Sequence, residues 1–189
     1  NDTITAASTG SVMRGLNGND LYFSGVGNDW IIDQVGSGTD TVDYSNTTGG
    51  GVTVTAYNGV SASDGAFTVT GSGGTDSLDG GGAGAGSQMF EHFVLTAQAD
   101  KFIGTRYSET VNMGAGDDTV QTGTTGGAAF IGDSVDGGAG NDWIDYSYLG
   151  SPNVNINLVT GISSVTGAAS ADTLTNFENV YALGTTGSV

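Results

Sequence analysis

Between Gly15 and Ser45 a glycine is followed two residues later by an aspartate three times: Gly18 and Asp20, Gly27 and Asp29, Gly38 and Asp40. After each aspartate come one free residue and then an apolar one, Tyr22, Ile31 and Val42. The first two units lie nine residues apart, and the third follows a two-residue insertion. A Gly-x-Gly-x-Asp turn lets the backbone reach positive φ and bend its carbonyls toward one point. The aspartate adds a hard anionic oxygen there. Carbonyls and carboxylates together are the ligand set of calcium, which takes about six to eight oxygens. With no cysteine and one histidine, the chain offers no soft ligand set for zinc, copper or iron–sulfur clusters.

The pattern recurs at Gly116 with Asp118 and at Gly140 with Asp142. The candidate calcium ligands are therefore Asp20, Asp29, Asp40, Asp118 and Asp142, with the turns at Gly18, Gly27, Gly38, Gly116 and Gly140. Asp2 and Asp100 follow them in rank; Asp2 stands eighteen residues before Asp20, and Ser11 replaces the aspartate of the half-coil between. Asp76, Asp133, Asp136 and Asp172 read as loop or turn acids. For every one of these acids the competing role is an Asx-turn, in which the carboxylate caps backbone N–H groups without an ion. An EF-hand is excluded, because Asp133-Ser134-Val135-Asp136-Gly137 places valine where that loop needs an oxygen.

The segments that must hold these acids are short. DLYF, DWII and DTVD each put one apolar residue inward, as a brief strand does. Turn plus strand at a period of nine gives a coil of two turns and two strands per eighteen residues. Stacked coils bury Tyr22, Ile31 and Val42 as a ladder and align the aspartates along two edges. This nonapeptide resembles the hemolysin-type calcium-binding (RTX) repeat, G-G-x-G-x-D-x-U-x. The likeness is close over G-x-D-x-U and looser at the first two glycines, where Leu16, Ser24 and Val35 stand. It implies an all-β, calcium-stabilised parallel β-roll, each ion held between turns of successive coils by carbonyls and two aspartates.

Thirty-five glycines with one proline point to many tight turns, and 37% hydrophobic residues to a thin core spread along a solenoid. A formal charge of −17, with only Arg14, Lys101 and Arg106 basic, excludes nucleic acid as a partner. It also predicts self-repulsion that cations must neutralise. No apolar run approaches the length of a transmembrane segment. Without an initiator methionine or signal, the chain reads as part of a larger or processed sequence. Extracellular calcium modules work at roughly 10⁻⁴ to 10⁻³ M calcium, which favours an extracellular or cell-surface location.

The second half repeats the first. Gly137 to Gly161 lies over Val35 to Gly59 at an offset of 102, pairing Asp40 with Asp142 and the Asp43-Tyr44-Ser45 run with Asp145-Tyr146-Ser147. Ala99-Asp100-Lys101-Phe102 matches Asn1-Asp2-Thr3-Ile4 at offset 98, and Asn176 to Val180 matches Met89 to Phe93 at offset 87. Two tandem copies are expected, 1–98 and 99–189, with loop insertions around Asp79–Gln88 and Gln121–Asp136. Further strands follow each Tyr-Ser pair, at Val52 and Val54 and at Phe67 to Thr70 in the first copy, with Val154 and Ile156 corresponding to Val52 and Val54 in the second. Joining Val189 to Asn1 would begin another repeat, consistent with a tandem array or subunits meeting head to tail.

Catalysis finds no support. His92 is replaced in the second copy by Asn179, and acid pairs such as Asp117 and Asp118 fall inside the cation-turn pattern. Glu91 and Glu178 read as structural. Trp30 and Trp143 alternate outward, as candidate interface residues for a neighbouring copy or for surface polysaccharide. The expected function is that of a calcium-dependent structural module of a secreted bacterial surface protein, self-assembling or adhesive. The alternative is a non-catalytic calcium-binding appendage of a secreted hydrolase or toxin.

Overall fold

The computed structural model describes residues 1–8, 10–33, 38–56, 66–71, 73–79, 90–123, 132–149, 154–165 and 170–182. The insertion before Gly38, the glycine-rich loop after Asp79, the middle of the Gln121–Asp136 insertion and the end at Val189 lie outside them. The described residues are all-β, with one 3₁₀ turn at Ser147–Leu149 and no helix long and apolar enough to cross a membrane.

Strands alternate between two nine-stranded sheets. The first runs β1 (Thr3–Thr5), β3 (Leu21–Phe23), β5 (Thr41–Asp43), β9 (His92–Val94), β11 (Thr110–Asn112), β13 (Ser134–Asp136), β17 (Asp172–Thr175), β16 (Ile162–Val165), β15 (Val154–Asn157). The second runs β18 (Asn179–Tyr181), β14 (Trp143–Asp145), β12 (Thr119–Gln121), β10 (Lys101–Ile103), β6 (Val52–Ala56), β7 (Phe67–Gly71), β8 (Gly74–Asp79), β4 (Trp30–Ile32), β2 (Val12–Arg14). Most neighbours are parallel. Thr3 pairs with Leu21, Val12 with Trp30 and Lys101 with Thr119, each a step of eighteen residues. That step is one winding of the chain, with one strand in each sheet.

Most strands have three residues, and the middle one faces inward. Tyr22, Val42, Phe93, Val111, Val135 and Leu174 line the inner face of the first sheet; Met13, Ile31, Leu78, Val54, Phe102, Val120 and Ile144 line that of the second. All are buried. Only the end residues differ, for Ile4 and Val180 are partly covered.

Two antiparallel excursions interrupt the parallel stacking: β6–β7–β8 in the second sheet and β15–β16–β17 in the first. They follow the two Asp-Tyr-Ser runs, and they occupy opposite sheets because β5 and β14 do. The repeat is thus displaced by half a winding. Strand β9 pairs with β5 on one side and β11 on the other, so the first sheet runs through position 98 without a break. The second does the same through β6 and β10. Three phenylalanines meet at this join, Phe93 lying 4.8 Å from Phe67 and 5.2 Å from Phe102 between ring centroids.

Candidate metal centre

All but one of the acids stand immediately before or at the start of a strand, Asp76 lying inside β8, and they stack from winding to winding. One carboxylate oxygen accepts the backbone N–H of the equivalent residue on the winding before. Along the first sheet Asp2 donates to Asp20 at 2.5 Å, Asp20 to Asp40 at 2.8 Å and Asp40 to Glu91 at 2.8 Å. The row continues with Glu109 donating to Asp133 and Asp133 to Asp172. Along the second sheet Ser11 donates to Asp29 and Asp29 to Asp76. Beyond the excursion Val52 donates to Asp100, Asp100 to Asp118, Asp118 to Asp142 and Asp142 to Glu178. The capping role of a carboxylate therefore holds here, but across windings rather than within a turn.

Six of the seven sequence-proposed aspartates are buried in these rows: Asp20, Asp29, Asp40, Asp100, Asp118 and Asp142; Asp2 is exposed at the end. The rows also contain Asp76, Asp133 and Asp172, which the sequence places in loops or turns; the structure buries Asp133 and Asp172 at strand starts and Asp76 inside β8. Asp136 does act locally, accepting the Gly138 N–H, and it also accepts the Asn176 side-chain amide from the next winding. Gly18, Gly27, Gly116 and Gly140 adopt positive φ as a bent turn requires. Gly38 does not; its Cα lies against the Gly18 carbonyl, so close stacking of turns excludes a side chain there.

Capping from winding to winding uses one oxygen of each carboxylate, and Asp100 spends its second on the Thr96 N–H. The Oδ2 atoms of Asp20, Asp118, Asp133 and Asp142 are buried with no hydrogen-bond partner. A buried anionic oxygen left unpaired is unfavourable by several kcal/mol in order of magnitude unless it is protonated or meets a cation. Around Asp20 the means to meet one is assembled. Carboxylate oxygens of Asp20, Asp33 and Asp40 all lie within 4.8 Å of one another, and all three residues are buried. Asp33 projects from the end of β4, and the Tyr22 hydroxyl donates to it. Gly15 closes the space; a Cβ there would fall on the Asp20 carboxylate and the Tyr22 hydroxyl. Three hard oxygens this close, one of them otherwise unpartnered, fit a hard metal ion.

The electrostatics agree. Asp40 is pushed up to about 7, first by burial and then by the Asp33, Glu91 and Asp20 carboxylates, against the backbone N–H it accepts. Asp118 is likewise pushed up to about 7, chiefly by burial, with Asp100, Asp142 and Asp117 adding to it. Burial also raises Asp76, Asp100 and Asp142. Farther along, Glu109 and Asp133 both rise by burial in a shared environment with Asp172. Without a counter-ion these raised members of the rows hold protons to higher pH than ordinary carboxylates do.

Each excursion is locked to its row by a tyrosine of the Asp-Tyr-Ser run. The Tyr44 hydroxyl donates to Asp76 at 3.0 Å, with Ser24 at 2.8 Å from the same oxygen. Tyr146 donates to Asp172, with Ser163 and Thr122 beside it. Trp30 and Trp143 lie on the outer face of the second sheet, 44% and 39% exposed. His92 sits between Thr41 and Thr110 on the outer face of the first sheet; its repeat counterpart Asn179 is on β18 of the second sheet, beside Trp143. No family model matches the chain, and no curated protein matches it.

Proposed function

We propose that this chain is a calcium-dependent structural module of a secreted bacterial surface protein, built as a calcium-stabilised β-roll of the RTX kind. The observation that carries the reading is the Asp20–Asp33–Asp40 cluster, with Asp20 Oδ2 buried and unpartnered. The unpartnered oxygens of Asp118 and Asp142 repeat the demand along the second sheet. A chain of charge −17 repels itself when compact, and cations on the acid rows remove that repulsion. An ion that binds only the folded form adds about 2.7 kcal/mol at a hundredfold excess over its Kd, so a few sites make folding calcium-controlled. Its role is mechanical: a segment that stiffens outside the cell, where calcium is plentiful, and presents Trp30 and Trp143 for self-assembly or adhesion.

Far-UV circular dichroism during calcium titration of EDTA-treated protein tests this, with magnesium as control. The expected result is a coil-to-β transition with calcium and little response to magnesium. A β signal already complete in EDTA, unchanged by calcium in melting temperature, would reduce the acid rows to backbone caps and overturn the proposal.

A further inference from the structure

The chain contains, at its middle, an interface whose two halves it also presents at its ends. At the middle join β6 pairs with β10 in one sheet and β9 with β11 in the other, all parallel. The excursions equate β15 with β6: Val154 and Ile156 correspond to Val52 and Val54, and Ile156 pairs with Ser163 as Val54 pairs with Val69. The Glu178-Asn179-Val180 strand start equates β18 with β9 through Glu91-His92-Phe93. At the other end, offset 98 equates β1 with β10 and β2 with β11, and Thr3 meets Leu21 as Lys101 meets Thr119. Strands β15 and β18 are edge strands of the two sheets at one end, and β1 and β2 are edge strands of the same two sheets at the other.

We infer that a second copy of this chain docks end to end, its β1 adding to β15 and its β2 adding to β18. The register follows from the middle join. Thr3, Ile4 and Thr5 of one copy meet Asn155, Ile156 and Asn157 of the next, as Lys101, Phe102 and Ile103 meet Thr53, Val54 and Thr55. Val12, Met13 and Arg14 meet Asn179, Val180 and Tyr181, as Thr110, Val111 and Asn112 meet His92, Phe93 and Val94. The polar groups complete themselves too. The Val52 N–H donates to Asp100 at 2.6 Å and the Thr110 N–H to the Glu91 carbonyl at 2.7 Å, so Val154 would donate to Asp2 and Val12 to Glu178.

The apolar side also calls for a partner. Phe93 and Phe102 are each 1% exposed at the middle join, whereas their counterparts Val180 and Ile4 are only partly buried. Val12 and Tyr181, at opposite corners of this strand pair, are 62% and 51% exposed edge-strand residues. Because the two faces differ, the contact is heterologous and repeats without closing, giving filaments in which both sheets and both acid rows continue. Edge pairing of this kind supplies main-chain hydrogen bonds with side-chain register as the selector.

This inference rests on the self-assembling form of the proposed function, and its test separates the two. The chain has no cysteine, so Thr3→Cys and Asn155→Cys can be made in separate preparations. Adjacent strands lie about 4.8 Å apart, within the Cα spacing of a disulfide. A control pairs Thr3→Cys with Ser164→Cys, one strand farther from the joint. Folded, calcium-loaded preparations are mixed and mildly oxidised, and mixed disulfides are identified by peptide mass. The expected result is at least about tenfold more linking for the Thr3–Asn155 pair than for the control, with sedimentation rising with concentration. Folded protein that links both pairs equally overturns the joint, whatever polymers it forms, and leaves the calcium reading intact. A chain that folds fully in EDTA overturns the calcium reading while the joint is still decided by the linking ratio. A chain without β signal in either condition overturns both.

Discussion

A buried carboxylate that spends one oxygen on a neighbouring N–H and leaves the other unpaired is stable only with a proton or a cation beside it. Asp33 is the residue that separates these cases, because it stands outside the backbone-capping rows yet within reach of Asp20 and Asp40. Asparagine at this position keeps an acceptor for the Tyr22 hydroxyl and removes the charge. Asp33→Asn should therefore raise metal-free stability, by roughly 1 kcal/mol, while weakening calcium binding at this centre about tenfold or more. Calorimetric calcium titration and paired melts with and without EDTA measure both. An unchanged titration with lower metal-free stability would make Asp33 only the acceptor of Tyr22. The roof of the centre gives a second residue-level expectation. Leu16 holds φ at 74°, a conformation that is unfavourable by about 1–2 kcal/mol for a side-chain-bearing residue, at the point where the nonapeptide has glycine. Leu16→Gly should gain about 0.5–1 kcal/mol in denaturant melts, part of the relief being offset by the freer unfolded chain. Gly15→Ala, beside it, should lose about 1–3 kcal/mol by overpacking against Asp20 and Tyr22.

The acid row is the element in which these residues act together. Asp40 and Asp118 near 7 and Glu109 near 8 all lie above the ordinary carboxylate value of about 4. Folding therefore takes up protons. The stability this supplies is complete below about pH 4 and is lost as pH rises through 7 to 8. In EDTA the melting temperature should fall between pH 5 and 8, by roughly 5–10 °C, and calcium should flatten that slope by occupying the ionised groups. A melting temperature that rises with pH in EDTA would show that the carboxylates are ionised and satisfied without metal. The rows also mark how far the sequence can be read. The Gly-x-Asp unit reveals Asp20, Asp29, Asp40, Asp118 and Asp142, and the eighteen-residue winding adds Asp2, one step before Asp20. Asp76 and Asp172 escape it because an antiparallel excursion stands between each and its neighbour in the stack, erasing the period. Glu91, Glu109 and Glu178 escape because their turns lack the glycine two residues before the acid. One simpler signal covers them all: an acid, one free residue, then an inward apolar one, as in Glu91-His92-Phe93, Glu109-Thr110-Val111, Asp133-Ser134-Val135 and Asp172-Thr173-Leu174. Asp33 has no such signal. It belongs to the two-residue insertion before the third unit, and only the fold brings it to Asp20.

At the scale of the whole molecule, two tandem copies and one continuous stack make different thermodynamic predictions. Each winding touches chiefly the windings next to it, so stability is close to a sum of local terms and neighbour interfaces. The interface at the seam between 98 and 99 is not weaker than the rest. Both sheets cross it, and Phe67, Phe93 and Phe102 pack there with centroids 4.8 to 6.2 Å apart. The ends are the weak places, since among the described residues Ile4 and Val180 pair on one side only. Hydrogen exchange in dilute, calcium-loaded protein should then show one maximum of protection, at β9, β10 and β11. Rates should increase outward to β1 and β18 by about a hundredfold, equivalent to roughly 3 kcal/mol of local opening. Two copies folding as separate domains would instead give two maxima with a fast-exchanging seam near residue 98, and two steps in a calcium melt. Raising the protein concentration adds a further comparison on the same sample. If copies stack end to end in the register of the seam, the β1 and β18 amides slow toward the central value while β9 to β11 do not change, because only the ends gain a neighbour.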